Sequence, residues 1–167
     1  GRPIVAVTAA NAATSMLDEV VIVTGHHGTE VAAAVADLDV AVANNPDFAD
    51  GNMTSLRAGH QAIPDCDAYV LLLADMPGVT TGMIDAMVAA WNAFRPWAAV
   101  AEYREDRRHP ILLSAAAMNS VLSATEPKAV WNLLEAAPAG TVHAVHFGIS
   151  APGDINTIAD YEALLAE

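Results

Sequence analysis

The chain has 167 residues, of which 54% are hydrophobic and 16% charged, enough apolar material for one buried core but not two, so a single domain over residues 1–167 is expected. A formal charge of −13 creates a negative field that opposes binding to nucleic acid, and the apolar runs are far shorter than the roughly 18 residues of a membrane span. The single cysteine, Cys66, allows no internal disulfide, and with no secretory pattern at the start the expected compartment is the reducing cytoplasm.

The elements follow in chain order. PIVAVTAANAATSM is alanine-rich with Pro3 near its start, which suits a helix, and the β-branched run EVVIVT after Asp18 reads as a strand closed by Gly25. Thr29 to Ala36 reads as a helix, and the run from Val40 as a short buried strand ending at Asn44. The turn-forming NNPDFADGN leads into a helix from Met53 to about Ile63, and YVLLLA is the most hydrophobic strand, ending at Asp75. Thr80 can cap a helix to about Phe94. WAAVAEY and HPILLS read as strands, and two helical stretches, the strand TVHAVHF and a last helix from about Ile158 complete the chain. Repeated β-α alternation predicts an α/β sandwich with a mostly parallel sheet.

In such sheets ligands bind beyond the carboxyl ends of the strands. The residues there are Gly25-His26-His27, Asn44-Asn45, Asp75, and the stretch from Gly148 to Asp154. Asp75 is held by a rigid strand and suits a hard cation, which takes one or two carboxylates plus phosphate oxygens; it can equally cap the following turn. Asp154, in PGDINT, can complete that site as a second carboxylate, or Asp154 or Thr157 can cap the last helix. NNPDFADGNMTSLRAG offers Thr54 and Ser55 at a helix start for a ribose hydroxyl or phosphate, where capping by Asn52 or Thr54 is the plainer reading. Arg57 fits a phosphate or a solvated surface, and His109, before Pro110, fits either the cleft or a buried hydrogen-bonded position. His26 and His27 are adjacent, and His143 and His146 fall on opposite strand faces, so neither pair suits zinc.

VIVTGHHGTEV, NPDFADGNMTSLRAG, VLLLADMPGVT, RHPILL and DINTIADYEAL together resemble the MobA/MocA-like NTP-transferase domain, in order and approximate spacing. That family adds CMP or GMP to molybdopterin-type cofactors. The resemblance implies a three-layer αβα sandwich with a Rossmann-like sheet of the nucleotide-diphospho-sugar transferase type. It also implies nucleotidyl transfer with release of pyrophosphate, and Mg²⁺ as the metal. Asp75 matches the family's central metal- and nucleotide-binding aspartate, Asp154 its second carboxylate near the metal, and Asn45, Gly51 and Ser55 its nucleotide-side motif. His109 and Pro110 match a G-H-P motif in which Arg108 stands where the family has glycine. SATEPKAVWNLL stands where relatives often carry G-D-x-G-A-R, without that glycine-and-arginine pattern.

The family begins with a strand and a glycine-rich loop, L-A-A-G-x-S-x-R-M-G-x-x-K, and then continues into G-[KR]-P, whereas this chain opens at Gly1-Arg2-Pro3. About thirty residues, one strand plus loop, are therefore expected upstream. CTP is favoured over GTP because GNMTSLRAG and DMPGVT look more like the cytidylyl branch. Two other readings stay open: a non-catalytic module that delivers the cofactor to a molybdoenzyme or its maturation factor, and a same-fold transferase acting on a sugar phosphate or a deazaflavin-cofactor precursor.

Overall fold

The computed structural model describes residues 2–124 and 128–166, with no side-chain description for 165 and 166. Pro3 precedes helix α1 (Ile4–Ala13), where its missing N–H goes unneeded, and the helix buries the small residues Ala6, Thr8, Ala9 and Ala12 on one side. Strand β1 (Val21–Thr24), helix α2 (Gly28–Ala34) and strand β2 (Ala41–Asn44) form one β-α-β unit with β1 parallel to β2. Gly25 is required at the end of β1, because a Cβ there would lie 2.5 Å from the Cβ of Phe48. A short helical turn, Phe48–Asp50, leads into α3 (Asn52–Ala62).

The remaining strands are β3 (Ala68–Leu71), β4 (Ala98–Glu102), β5 (Arg107–Ser114) and β6 (Val142–His146), in the order β3-β5-β4-β6. β4 and β6 are parallel, while β5 runs antiparallel to both its neighbours, so this sheet is mixed. The antiparallel strand arises because β4 and β5 are joined by a tight turn, closed by Tyr103 N–H donating to the Asp106 carbonyl at 2.8 Å. Helices α4 (Thr81–Phe94), α5 (Ala115–Ser123), α6 (Ala129–Ala136) and α7 (Ile158–Ala166) complete the chain.

Side-chain alternation along β5 makes the layers. Ile111 and Leu113 face a cluster with Tyr69, Val100, Met118, Val121 and Ala129, while Leu112 points the other way, to Ala99 and Met87 of α4. The sheet therefore lies between α4 on one face and α5 and α6 on the other. α4 begins at Thr80, whose Oγ1 accepts from Met83 N–H, and buries Met83, Ile84, Met87 and Ala90 as one stripe. Among the described residues no helix is long and apolar enough to cross a membrane.

Two boundaries differ from the sequence expectation. YVLLLA stays paired only to Leu71, opposite Ile111; the next residue on β5 is Pro110, which has no N–H to continue the ladder. β5 in turn begins at Arg107, two residues before His109, because its first residues complete the turn with β4.

Candidate active site

Among the described residues the inner edges of β1 and β3 are both unpaired, and a cleft of about 1050 Å³ lies between them. Thr8, Ala9 and Ala12 of α1 and Met53, Ser55 and Leu56 of α3 also line it. A second cavity of about 550 Å³ adjoins the first, with Leu73 and His109 lining both.

Asp75 lines neither cavity itself; its chain neighbours do, Ala74 the first and Met76 the second. Its turn is fixed from α1: Thr8 Oγ1 donates to the Ala74 carbonyl at 3.1 Å, and Asn11 Nδ2 to the Val79 carbonyl at 3.0 Å. The Asp75 carbonyl accepts the N–H of Ile155 at 2.9 Å, which places the residue following Asp154 directly against Asp75. Gly78 and Pro152 pack together beside this bond; a Cβ on Gly78 would lie 3.0 Å from the Pro152 Cβ. Asp75 Oδ1 is buried and has no hydrogen-bond partner among the described residues. An orphaned, rigidly held carboxylate oxygen is costly without a cation or donor, so the donor set fits a hard divalent metal.

Asp154 does not cap the last helix. Thr157 does so, its Oγ1 accepting from Asp160 N–H at 3.2 Å, while Asp160 Oδ2 accepts from the N–H groups of Asn156 and Thr157. The Asp154 carboxylate instead lines the second cavity, 3.9 Å from Arg108 Nη1.

His109 reaches the site through an irregularity in β5. Val100 pairs with Ile111 but Ala101 with Arg108, leaving His109 and Pro110 unmatched on β4, and this bulge re-aims the imidazole. The ring lies edge-on to Trp131, with centroids 6.0 Å apart. Burial pushes the imidazole down to about 4, against the upward pull of the Asp154 carboxylate, so His109 is neutral at physiological pH.

Ser55 lines the first cleft, whereas Asn45 and Gly51 line neither cavity. Asn45 is buried, and its Nδ2 donates to Thr54 Oγ1 at 2.9 Å and to Ser55 Oγ at 3.0 Å, while its Oδ1 accepts Asp47 N–H. The amide thus positions the start of α3 and leaves the Ser55 hydroxyl proton free to donate into the cleft. Gly51 immediately precedes α3 at φ 108°, a conformation suited to glycine, and no side chain caps that helix. Arg57 lines neither of these cavities; it donates to the Leu122 and Ala124 carbonyls at the end of α5.

Sequence reasoning missed the second cavity's wall. Trp131 and Leu134 of α6 and the arginines 107 and 108 all line it. The adjacent arginines before His109, in a chain with 7 basic residues, were the available signal. Of the segment SATEPKAVWNLL, residues 125–127 lie outside the described residues.

Residues 1–142 match the MobA-like NTP transferase domain. The chain belongs to that family. As a MobA-like nucleotidyltransferase, it has structural counterparts among solved proteins. The Rv0371c homologue from Mycobacterium sp. strain JC1 is 26% identical with a TM-score of 0.79, covering 98% of this chain and 81% of that one. Rv0371c from Mycobacterium tuberculosis H37Rv, solved as a complex with manganese, is 23% identical with a TM-score of 0.79, covering 98% and 85%. CMP:2-keto-3-deoxy-manno-octonic acid synthetase, solved with CTP, is 12% identical with a TM-score of 0.77, covering 99% and 87%, which establishes the shared nucleotide-diphospho-sugar transferase fold. No curated protein sequence matches the chain significantly.

Proposed function

We propose that this MobA-like domain transfers CMP from CTP, with GTP as the lesser donor, to the terminal phosphate of a molybdopterin-type cofactor. An acceptor phosphate oxygen forms a bond to the α-phosphorus, the bond to the β-phosphate oxygen breaks, and pyrophosphate leaves. The observation that carries this reading is the buried Oδ1 of Asp75, unpartnered among the described residues, in a residue whose carbonyl is bonded by the N–H next to Asp154. Manganese on a relative and CTP on a protein of the same fold agree with it.

Magnesium, when bound by Asp75 and Asp154, would neutralise charge on the phosphate oxygens. Asp75 is fixed by α1 and the Ile155 bond, so it needs no reorganisation to act. Ser55 donates to the nucleotide from the first cleft, oriented by Asn45. Neutral His109 and Trp131 shield the reacting centre from water on the side of the second cavity. We also assign the cleft between β1 and β3 to a strand upstream of Gly1, because two unpaired edges separated by an apolar gap call for a strand hydrogen-bonded to both. The glycine-rich loop that follows such a strand would clamp the β- and γ-phosphates.

The test is pyrophosphate release by the complete protein, with CTP, GTP and ATP each offered against molybdopterin-type acceptors. Release with CTP and a molybdopterin acceptor is expected. Release only with a different phosphorylated acceptor would contradict the acceptor assignment.

A further inference from the structure

The wall of the second cavity carries three carboxylates, Asp106, Glu135 and Asp154, and two arginines, Arg107 and Arg108. Arg107 belongs to a cluster of its own. Its Nε donates to Glu102 Oε2 at 2.9 Å, and His146 Nδ1 meets the other oxygen of that carboxylate at 3.0 Å. Arg108 is shared between two of the cavity carboxylates, its Nε 3.6 Å from Asp106 Oδ2 and its Nη1 3.9 Å from Asp154 Oδ1. The Asp106 side is anchored, since Asp106 Oδ1 accepts the Arg107 N–H at 2.7 Å. Among the described residues no other arginine or lysine pairs with Asp154, and the nearby His109 imidazole is neutral at physiological pH.

Neither Arg108 contact is short enough for a hydrogen bond, and the side chains of Arg108 and Asp154 are 46% and 37% exposed. A pair so screened by water holds a carboxylate in place but exchanges at little cost. A divalent cation offers Asp154 twice the charge of a guanidinium, and the guanidinium still has Asp106 when Asp154 leaves it.

From this we propose that Arg108 is a positioning residue: it is the counter-ion of Asp154 before a metal binds, and the metal takes Asp154 in exchange for Arg108, which withdraws to Asp106. The assignment rests on the reading of Asp154 as a metal ligand. Two opposite effects on metal binding follow from it. The charge of Arg108 opposes the incoming cation, and the charge of Asp106 helps it by drawing the guanidinium away.

The experiment titrates the complete protein and its variants with Mn²⁺ alone, without nucleotide, by calorimetry. Arg108→Gln should tighten Mn²⁺ binding about threefold or more, because a competing positive charge is gone. Arg108→Lys keeps that charge and should stay within about twofold of the unaltered protein. Arg107→Gln removes the same charge from the same wall, but from a guanidinium held by Glu102, and should also stay within about twofold. Asp106→Asn should weaken binding about threefold by itself and less than about twofold in the Arg108→Gln background, since its effect passes through Arg108. Unchanged or weaker binding in Arg108→Gln, or an equal gain from Arg107→Gln, would overturn the assignment. Asp154→Asn separates it from the reading beneath it. Weaker Mn²⁺ binding in Asp154→Asn with no change in Arg108→Gln sinks the counter-ion role alone. No difference between Asp154→Asn and the unaltered protein, including no binding to either, sinks the metal reading of Asp154 and the counter-ion role with it.

Discussion

The N–H of Ile155 donates to the carbonyl of Asp75 at 2.9 Å, and this bond ties the turn after β3 to the segment that carries Asp154 into α7. Ile155→Pro removes the donor and leaves the Asp75 carbonyl without it. A loss of about 1–3 kcal/mol in stability is expected, together with a fall in turnover larger than destabilisation alone explains. Urea midpoints and pyrophosphate release measure the two effects, and Ile155→Val should leave both near the original values.

Asn45 holds two hydroxyls at the start of α3 and touches neither cavity. Asn45→Ala should cost about 1–3 kcal/mol, because Asp47 N–H loses its acceptor and the Thr54 and Ser55 hydroxyls lose a shared donor. Because the loss frees Ser55 to rotate, KM for the nucleotide should rise more than kcat falls. Steady-state kinetics with CTP separates the two; a change confined to kcat would place Asn45 in the chemical step instead.

His109 is held neutral, its pKa falling from the ordinary 6.5 to about 4. Between those values the unfolded chain binds a proton that the folded one refuses. This contribution to stability is therefore fully present above pH 6.5 and is lost as pH falls toward 4, at no more than about 1.4 kcal/mol per pH unit. His109→Phe keeps a ring against Trp131 but cannot take up the proton, so its urea midpoint should fall less steeply over the same window. Parallel slopes in the two proteins would mean that another group carries the dependence.

The cleft between β1 and β3 bears on nucleotide binding. If an upstream strand and loop complete it, the 167-residue chain alone should bind CTP and magnesium weakly, since its charge of −13 opposes a triphosphate. Calorimetry on this chain and on a protein extended upstream tests that directly. Equally tight binding by both would move the phosphate site away from the cleft.

Local rules made much of the fold legible. Thr80 followed by the apolar stripe of α4, and the β-branched run of β1, carry their structure in their own residues. Pairing partners lie outside any such window. HPILLS reads as a strand, yet nothing local says that it runs antiparallel between β3 and β4, or that the bulge at His109 turns its ring toward Trp131. The last helix shows the same limit, because Asp154 and Thr157 both satisfy the rule for a cap, and only the structure shows Thr157 taking that place with Asp160. Nothing local marks Trp131 as a cavity wall either, since the cavity it lines is assembled from six separate stretches of chain.

Whether Asp75 and Asp154 hold one metal, as proposed, is decided by magnesium-dependent pyrophosphate release in the single and double Asn variants. Asp75→Asn and Asp154→Asn keep the side-chain shape and remove the charge, so folding should survive while each single change lowers turnover by about a hundredfold or more. The double variant should lose much less than the product of the two, because residues that act as a unit are not additive. An Asp154→Asn protein with unaltered turnover and magnesium dependence would contradict the shared site and leave Asp75 alone at the metal.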